Sequence, residues 1–243
     1  MRYGIISDIH GNLEALRACL RELNGVDSVL CLGDIVGYGP NPNECVEAVR
    51  ALPDLHCVVG NHDLAAIGKY ETDWFNFYAR EAIMWTQEEL TDANVRFLAG
   101  LPAKTTLPGI ILAHGSLPDP MEYLMSETEA RGTFEAMSEK LCLVGHTHVA
   151  EYYWQETHSG EIGHESLAQG GKVELMLGRR YIVNPGGVGQ PRDGNPHASC
   201  GLYDVGAEEV EVRRVAYPLG MTQRKIKQAG LPAMLASRLS AGR

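Results

Sequence analysis

Short apolar runs punctuate the first 150 residues: YGIIS (3–7), SVLCL (28–32), HCVVG (56–60), GIILA (109–113) and LCLVG (141–145). Each has the length and β-branched content of a strand. Amphipathic stretches lie between several of them. Residues 11–23 (GNLEALRACLREL) and 42–52 (PNECVEAVRAL) carry apolar side chains at helical spacing. Strand alternating with helix predicts a largely parallel sheet with helices on its faces.

Residues 64–98 break that rhythm. They read as two or more helices and hold Trp74, Phe75, Phe77, Tyr78 and Trp85. The stretch is longer than an ordinary connection, so it forms a packed subdomain or a lid, and packing is the expectation for its aromatics. Past residue 150 the pattern changes to AEYYWQE, KVELML, RRYIVNP, SCGLYDV and EVEVRRV, with Gly178 after the second and Gly206 opening the turn between the last two. These read as strands and hairpins, and a second, more antiparallel sheet is expected beside the first. The tail, about 222–240, reads as two short helices broken at Gly230 and Pro232. No repeat or linker interrupts the chain, so residues 1–243 read as one domain with a helical insert at about 64–98.

Composition narrows the function. Hydrophobic residues make up 44% of the chain, ample for a core. A net charge of -10 repels a phosphate backbone, so no long nucleic acid is expected as a partner. A small phosphoester remains open, because bound metal ions reverse the charge of a site locally. The apolar stretch in MRYGIISDIH is too short for a signal peptide and no apolar run has transmembrane length. A cytoplasmic setting without a membrane partner is expected. Cys19, Cys31, Cys45, Cys57, Cys142 and Cys200 form no CxxC pair and are expected to be buried, reduced thiols.

The candidate chemistry sits at the ends of the apolar runs. There the chain reads Ser7-Asp8-Ile9-His10, Gly33-Asp34, Gly60-Asn61-His62-Asp63, His114-Gly115 and Gly145-His146-Thr147-His148. Ligands of open α/β sheets bind beyond the carboxyl ends of parallel strands, so these groups are expected on one rim. Either pair of spaced ligands alone is a weak signal; the ordered set is specific. His158, His164 and His197 lie in stretches rich in Gly, Ser or Pro and are expected away from any metal. Carboxylate, imidazole and amide donors suit Mn, Fe, Zn or Ni rather than a thiolate-bound metal. The glycines before Asp34, Asn61 and His146 are expected to let the backbone turn sharply.

The order DxH…GD…GNHD…H…GHTH resembles the calcineurin-like metallophosphoesterase superfamily over residues 4–148. YIVNPGGVGQPRDGNPHASCGLYDV (181–205) extends the resemblance to a bacterial branch of small phosphodiesterase-like proteins. The resemblance implies an α/β fold, a four-layer sandwich of two mixed sheets flanked by helices. It implies two divalent transition-metal ions: Asp8, His10 and His148 on the first, Asn61, His114 and His146 on the second, and Asp34 bridging both. The implied reaction is phosphodiester hydrolysis by a metal-bridging hydroxide, with His62 facing the substrate and protonating the leaving oxygen. Asp63 either orients His62 or caps the following helix.

Other readings remain. A phosphomonoesterase or nucleotide pyrophosphatase keeps the enzyme class, and a metal-bearing scaffold without turnover does not. Inactive scaffold relatives typically lack the histidine present here as His62. Protein phosphatases of the superfamily carry GDxxDRG, whereas residues 33–39 read GDIVGYG, which disfavours that activity. HGSLPDPMEYL (114–124) lacks the basic residue of the related HGSPRDP pattern, so a phosphate-binding arginine is missing there. Tyr38, Asn41, Gln190 and Arg192 are expected to set the choice of a small phosphoester substrate. Arg192 either holds a phosphate oxygen or is a surface arginine.

Overall fold

Alternation of side chains along the strands sorts the chain into layers. The computed structural model describes residues 1–243. In the first sheet β1 (Arg2–Ile6), β2 (Ser28–Cys31) and β3 (Leu55–Cys57) are parallel. From β1 the sheet continues antiparallel to β11 (Ala198–Asp204), β12 (Glu209–Val215) and β9 (Gly171–Glu174). The second sheet has parallel β5 (Ile110–Ala113), β6 (Leu141–Leu143) and β10 (Arg179–Pro185) at its centre. Antiparallel β4 (Lys104–Leu107) flanks β5, and β7 (Ala150–Glu156) and β8 (Ile162–Ser166) flank β10.

Ile5 and Leu30 of the first sheet share a core with Ile110, Leu112, Leu141, Leu143 and Val183 of the second. Their alternates point outward. Ile6, Val29 and Cys31 meet Leu16 and Cys19 of α1 (Leu13–Glu22) and Val46 of α2 (Pro42–Arg50). On the other side Ile111, Cys142 and Ile182 meet Ala130 and Phe134 of α6 (Glu127–Ala136). The result is the expected four-layer sandwich of two mixed sheets. Each buried Leu, Ile or Phe contributes roughly 1.5–3 kcal/mol. All six cysteines are buried free thiols. No helix is long and apolar enough to cross a membrane.

Two expectations need correction. The strands past residue 150 do not form a sheet of their own. β9, β11 and β12 complete the first sheet, and β7, β8 and β10 complete the second. The parallel strands leave open edges whose N–H and C=O groups need partners, and the later strands supply them to both sheets. The insert departs as well. It forms α3 (Asn61–Ala66), α4 (Phe77–Glu89) and α5 (Asp92–Ala99). Phe75 and Trp85 pack, but Trp74 is 84% exposed and Phe77 and Tyr78 are exposed too. The buried face of α4 is made by Ala79, Ala82, Ile83 and Thr86, and it leaves Phe77 and Tyr78 outside. The tail forms α7 (Leu219–Gln228) and α8 (Ala233–Leu239), and Ile226, Leu235 and Leu239 pack with Ala79, Ala82 and Tyr38.

The glycines of the motifs do two different jobs. Gly33 has φ 93°, the left-handed turn the sequence suggests. Gly60 has φ -101° and needs no such freedom; a Cβ there would strike Asp34 Oδ1. At Gly145 a Cβ would strike Ser7 Oγ and lie 2.9 Å from Asp8 Oδ2. Gly60→Ala should therefore cost about 1–3 kcal/mol, an overpacking penalty. Gly132→Ala, inside α6 and 3.5 Å from Pro118 Cγ, should gain up to about 1 kcal/mol. Urea unfolding reads both, and a Gly60→Ala variant as stable as the parent would contradict the close approach.

Candidate metal centre

The parallel strands β1, β2, β3, β5 and β6 are each followed by one of the motifs, and their side chains converge. The backbone is bent to achieve this. Six of the eight non-glycine residues with positive φ are Asp8, His10, Asp34, Tyr38, His146 and His148. Such a conformation costs an L-residue roughly 1–2 kcal/mol. It is held here by hydrogen bonds between the strand-end loops. Asp8 N donates to Gly33 O at 3.0 Å, His10 N to Asp34 O at 2.9 Å and Gly11 N to Ile35 O at 2.9 Å.

Two groups of donor atoms result, Asp8, His10, Asp34 and His148 in one and Asp34, His114 and His146 in the other. All are buried, and Asp34 is common to both. Carbonyl oxygens set the histidine tautomers, because a carbonyl can only accept. His10 Nδ1 donates to Val36 O at 3.0 Å and His148 Nδ1 to Gln190 O at 2.6 Å. Their Nε2 lone pairs then face each other at 3.1 Å. His114 Nδ1 donates to Leu32 O at 2.7 Å, which leaves its Nε2 lone pair 3.3 Å from Asp34 Oδ2. His146 instead donates from Nε2 to Met121 O at 3.1 Å, so its Nδ1 carries the free lone pair. Asp34 Oδ2, Asn61 Oδ1 and His114 Nε2 are buried without a hydrogen-bond partner. Facing lone pairs and orphaned oxygens suit a cation, and the set fits a divalent transition metal.

The electrostatics agree. Burial pushes the Asp8 carboxyl up to about 6. Burial would also raise Asp34, but His114, His62 and His10 hold it well below the usual carboxylate range. Burial would lower His114, yet Asp34 outweighs it and raises the imidazole to about 10. Burial drives His10, His148 and His146 down, the last to about 3, helped by His114. Asp34 thus favours a proton on His114, and a metal bound there would take the place of that proton.

His62 stands apart from both groups. Its backbone N donates to Asp34 Oδ1 at 2.9 Å, while its ring packs against Tyr38, His10 and Phe75. Burial lowers its pKa to about 4. Asp63 acts as a cap and a tie: it accepts from Gly60 N and from Val36 N, both at 3.1 Å. That joins the loop after β2 to the start of α3 and so places Asn61 and His62. The sequence left this choice open.

Beside these groups lies an open cleft lined by Asn61, His62, Tyr70, Trp74, Phe75 and Tyr123 among others. Tyr38 also lines it, buried against His10 and His62. Gln190 is a positioning residue, since its O holds His148 and its Oε1 accepts from Arg192 at 3.1 Å. Arg192 reaches the Tyr38 hydroxyl at 3.3 Å and is no free surface arginine. Asn41 is not brought to the cleft. Its side chain donates to Glu44 and accepts from Lys225 Nζ at 3.1 Å, because α7 packs beside it. His164 pairs with Glu151, and His158 and His197 are exposed, as expected. Sequence reasoning missed Tyr123 and Arg238. Tyr123 stacks on His146 at 4.0 Å, and its place in the segment after His114 was an available signal. Arg238 lies 5.9 Å from the Tyr38 ring and belongs to α8, where no motif marks it.

Comparison with known proteins supports the same reading. The chain is 40% identical over 249 residues to an uncharacterized protein of Methanocaldococcus jannaschii, covering 98% of this chain and 97% of that one. A metallophosphoesterase from Sphaerobacter thermophilus superposes with a TM-score of 0.91 at 42% identity, over 100% of this chain and 99% of that one. A symmetrical bis(5'-nucleosyl)-tetraphosphatase of Yersinia pestis is 39% identical over 70 residues, 27% of this chain and 24% of that protein. Residues 1–208 match the model of the calcineurin-like phosphoesterase superfamily domain, and the chain belongs to that superfamily of hydrolases.

Proposed function

We propose that this chain hydrolyses a phosphodiester at a dinuclear metal centre. The observation that carries the reading is the pair of buried donor groups sharing Asp34, with lone pairs fixed toward one another by carbonyl partners. Asp8, His10 and His148 would hold one ion, Asn61, His114 and His146 the other, and Asp34 both. When bound, the ions supply a water of lowered pKa and neutralise charge on the phosphoryl oxygens.

The remaining work falls to the chain. His62 faces the cleft and gives its proton to the departing oxygen. Burial lowers the pKa of this imidazole to about 4, and an arriving phosphodiester anion favours its protonated form. Phe75 and Tyr38 fix the ring from two sides, at 4.8 and 4.6 Å between centroids. The organic group of the ester occupies the cleft walled by Tyr70, Trp74 and Tyr123. Cleavage of a phosphoanhydride between nucleotides is the second reading, favoured by the 70-residue likeness to a tetraphosphatase.

With Mn, Ni, Co, Zn or Mg added in turn, the protein should hydrolyse bis(p-nitrophenyl) phosphate faster than p-nitrophenyl phosphate. The reverse order would make it a monoesterase, and no turnover with any metal would make it a scaffold. His62→Asn should keep both metals, yet slow an alkyl ester by roughly 10²–10⁴-fold and a nitrophenyl ester much less. An alkoxide needs the proton and a nitrophenolate hardly does. Equal slowing of both esters would assign His62 to binding or electrostatics, and full activity would make it structural.

A further inference from the structure

Two guanidinium groups flank one tyrosine at the edge of the centre. The Tyr38 ring lies 4.7 Å from the His10 ring and 4.6 Å from the His62 ring. Its backbone is held at φ 37°, which fixes it in place. Arg192 and Arg238 bring their guanidinium carbons to 5.7 and 5.9 Å from its centroid. Arg192 Nη2 donates to the Tyr38 hydroxyl at 3.3 Å and to Gln190 Oε1 at 3.1 Å. Arg238 Nε donates to the main-chain oxygen of Arg243 at 2.6 Å. The arginines that form ion pairs are others: Arg131, Arg179, Arg213 and Arg214.

Like charges brought together out of water repel one another. Burial, and after it Arg192, lowers the pKa of Arg238, whereas at Arg192 the neighbouring Tyr38, Tyr123 and Asp8 outweigh burial and raise it. In a chain of net charge -10 this is a local concentration of positive charge. An anion relieves it, and two forked donor sets match the oxygens of a phosphate better than those of a single carboxylate. The position is one aromatic ring away from His10 and His62.

We propose that Arg192, Arg238 and the Tyr38 hydroxyl form a subsite for a second phosphate group of the substrate. This rests on the phosphoesterase reading and narrows its substrate class to esters or anhydrides that carry a further phosphate beside the scissile one. The basic residue absent from HGSLPDP (114–120) is thereby replaced from the opposite side, by a loop and the C-terminal helix. Tyr38 and Arg192 lie within residues 1–208 of the shared family domain, and Arg238 lies beyond them.

Titration calorimetry of the Mn-loaded protein with methylenediphosphonate and with methylphosphonate tests the subsite. The diphosphonate also approaches the metals, so the quantity read is the change in the affinity ratio between variant and parent, at equal metal content. Arg238→Gln should lower the diphosphonate-to-monophosphonate ratio about tenfold, the effect of one charge-assisted contact. Arg238→Lys keeps the charge but loses the fork and should fall between; it carries the test if Arg238→Gln fails to fold. An unchanged ratio, or equal weakening of both ligands, overturns the subsite. A parent protein that hydrolyses no phosphoester yet shows the Arg238-dependent ratio would sink the phosphoesterase reading and leave the subsite standing.

Discussion

Everything at this site is arranged around the carboxylate of Asp34. One of its oxygens accepts from His62 N, and the other lies 3.3 Å from His114 Nε2 and 3.6 Å from His10 Nε2. The donors come from both sheets: Asp8, His10 and Asp34 follow strands of the first, and His114, His146 and His148 follow strands of the second. Asp34 is the one residue both donor groups share. A buried carboxylate is costly unless cations or donors answer it. That requirement explains why Gly60 has no side chain, why imidazoles surround Asp34 and why Asp63 ties down the neighbouring loop.

The rest of the fold holds that arrangement against its own cost. Left-handed backbone at six polar residues, facing imidazole lone pairs and an orphaned amide oxygen are each unfavourable alone. They persist because two sheets with a shared apolar core fix the strand ends from which they project. Stability and function therefore meet at the same carboxyl edges. The core supplies rigidity, and the loops carry strain that bound cations would relieve.

The centre was legible in the sequence because its ligands directly follow apolar strands, and a strand end is a local pattern. Asp8, Asp34, Asn61 and His146 announce themselves in this way. Pairing of the later strands was not legible, since β11 returns to β1, with Leu202 opposite Gly4, and β9 joins the first sheet only through β12. β4 and β8 escaped for another reason: they are outer strands with exposed faces and no apolar run. At the rim, sequence order misled for Asn41, which follows the right strand but is drawn off by Lys225. Arg238 shows the converse, a helix residue brought to Tyr38 by apolar packing of Ile226, Leu235 and Leu239.

The central claim is that Asp34 joins two metal sites into one. Metal content by plasma mass spectrometry, after dialysis, compares the parent protein with Asp34→Asn, a change that removes one charge at nearly constant shape. The account predicts two ions per chain in the parent and loss of both in the variant. Two tightly held ions in Asp34→Asn would contradict it.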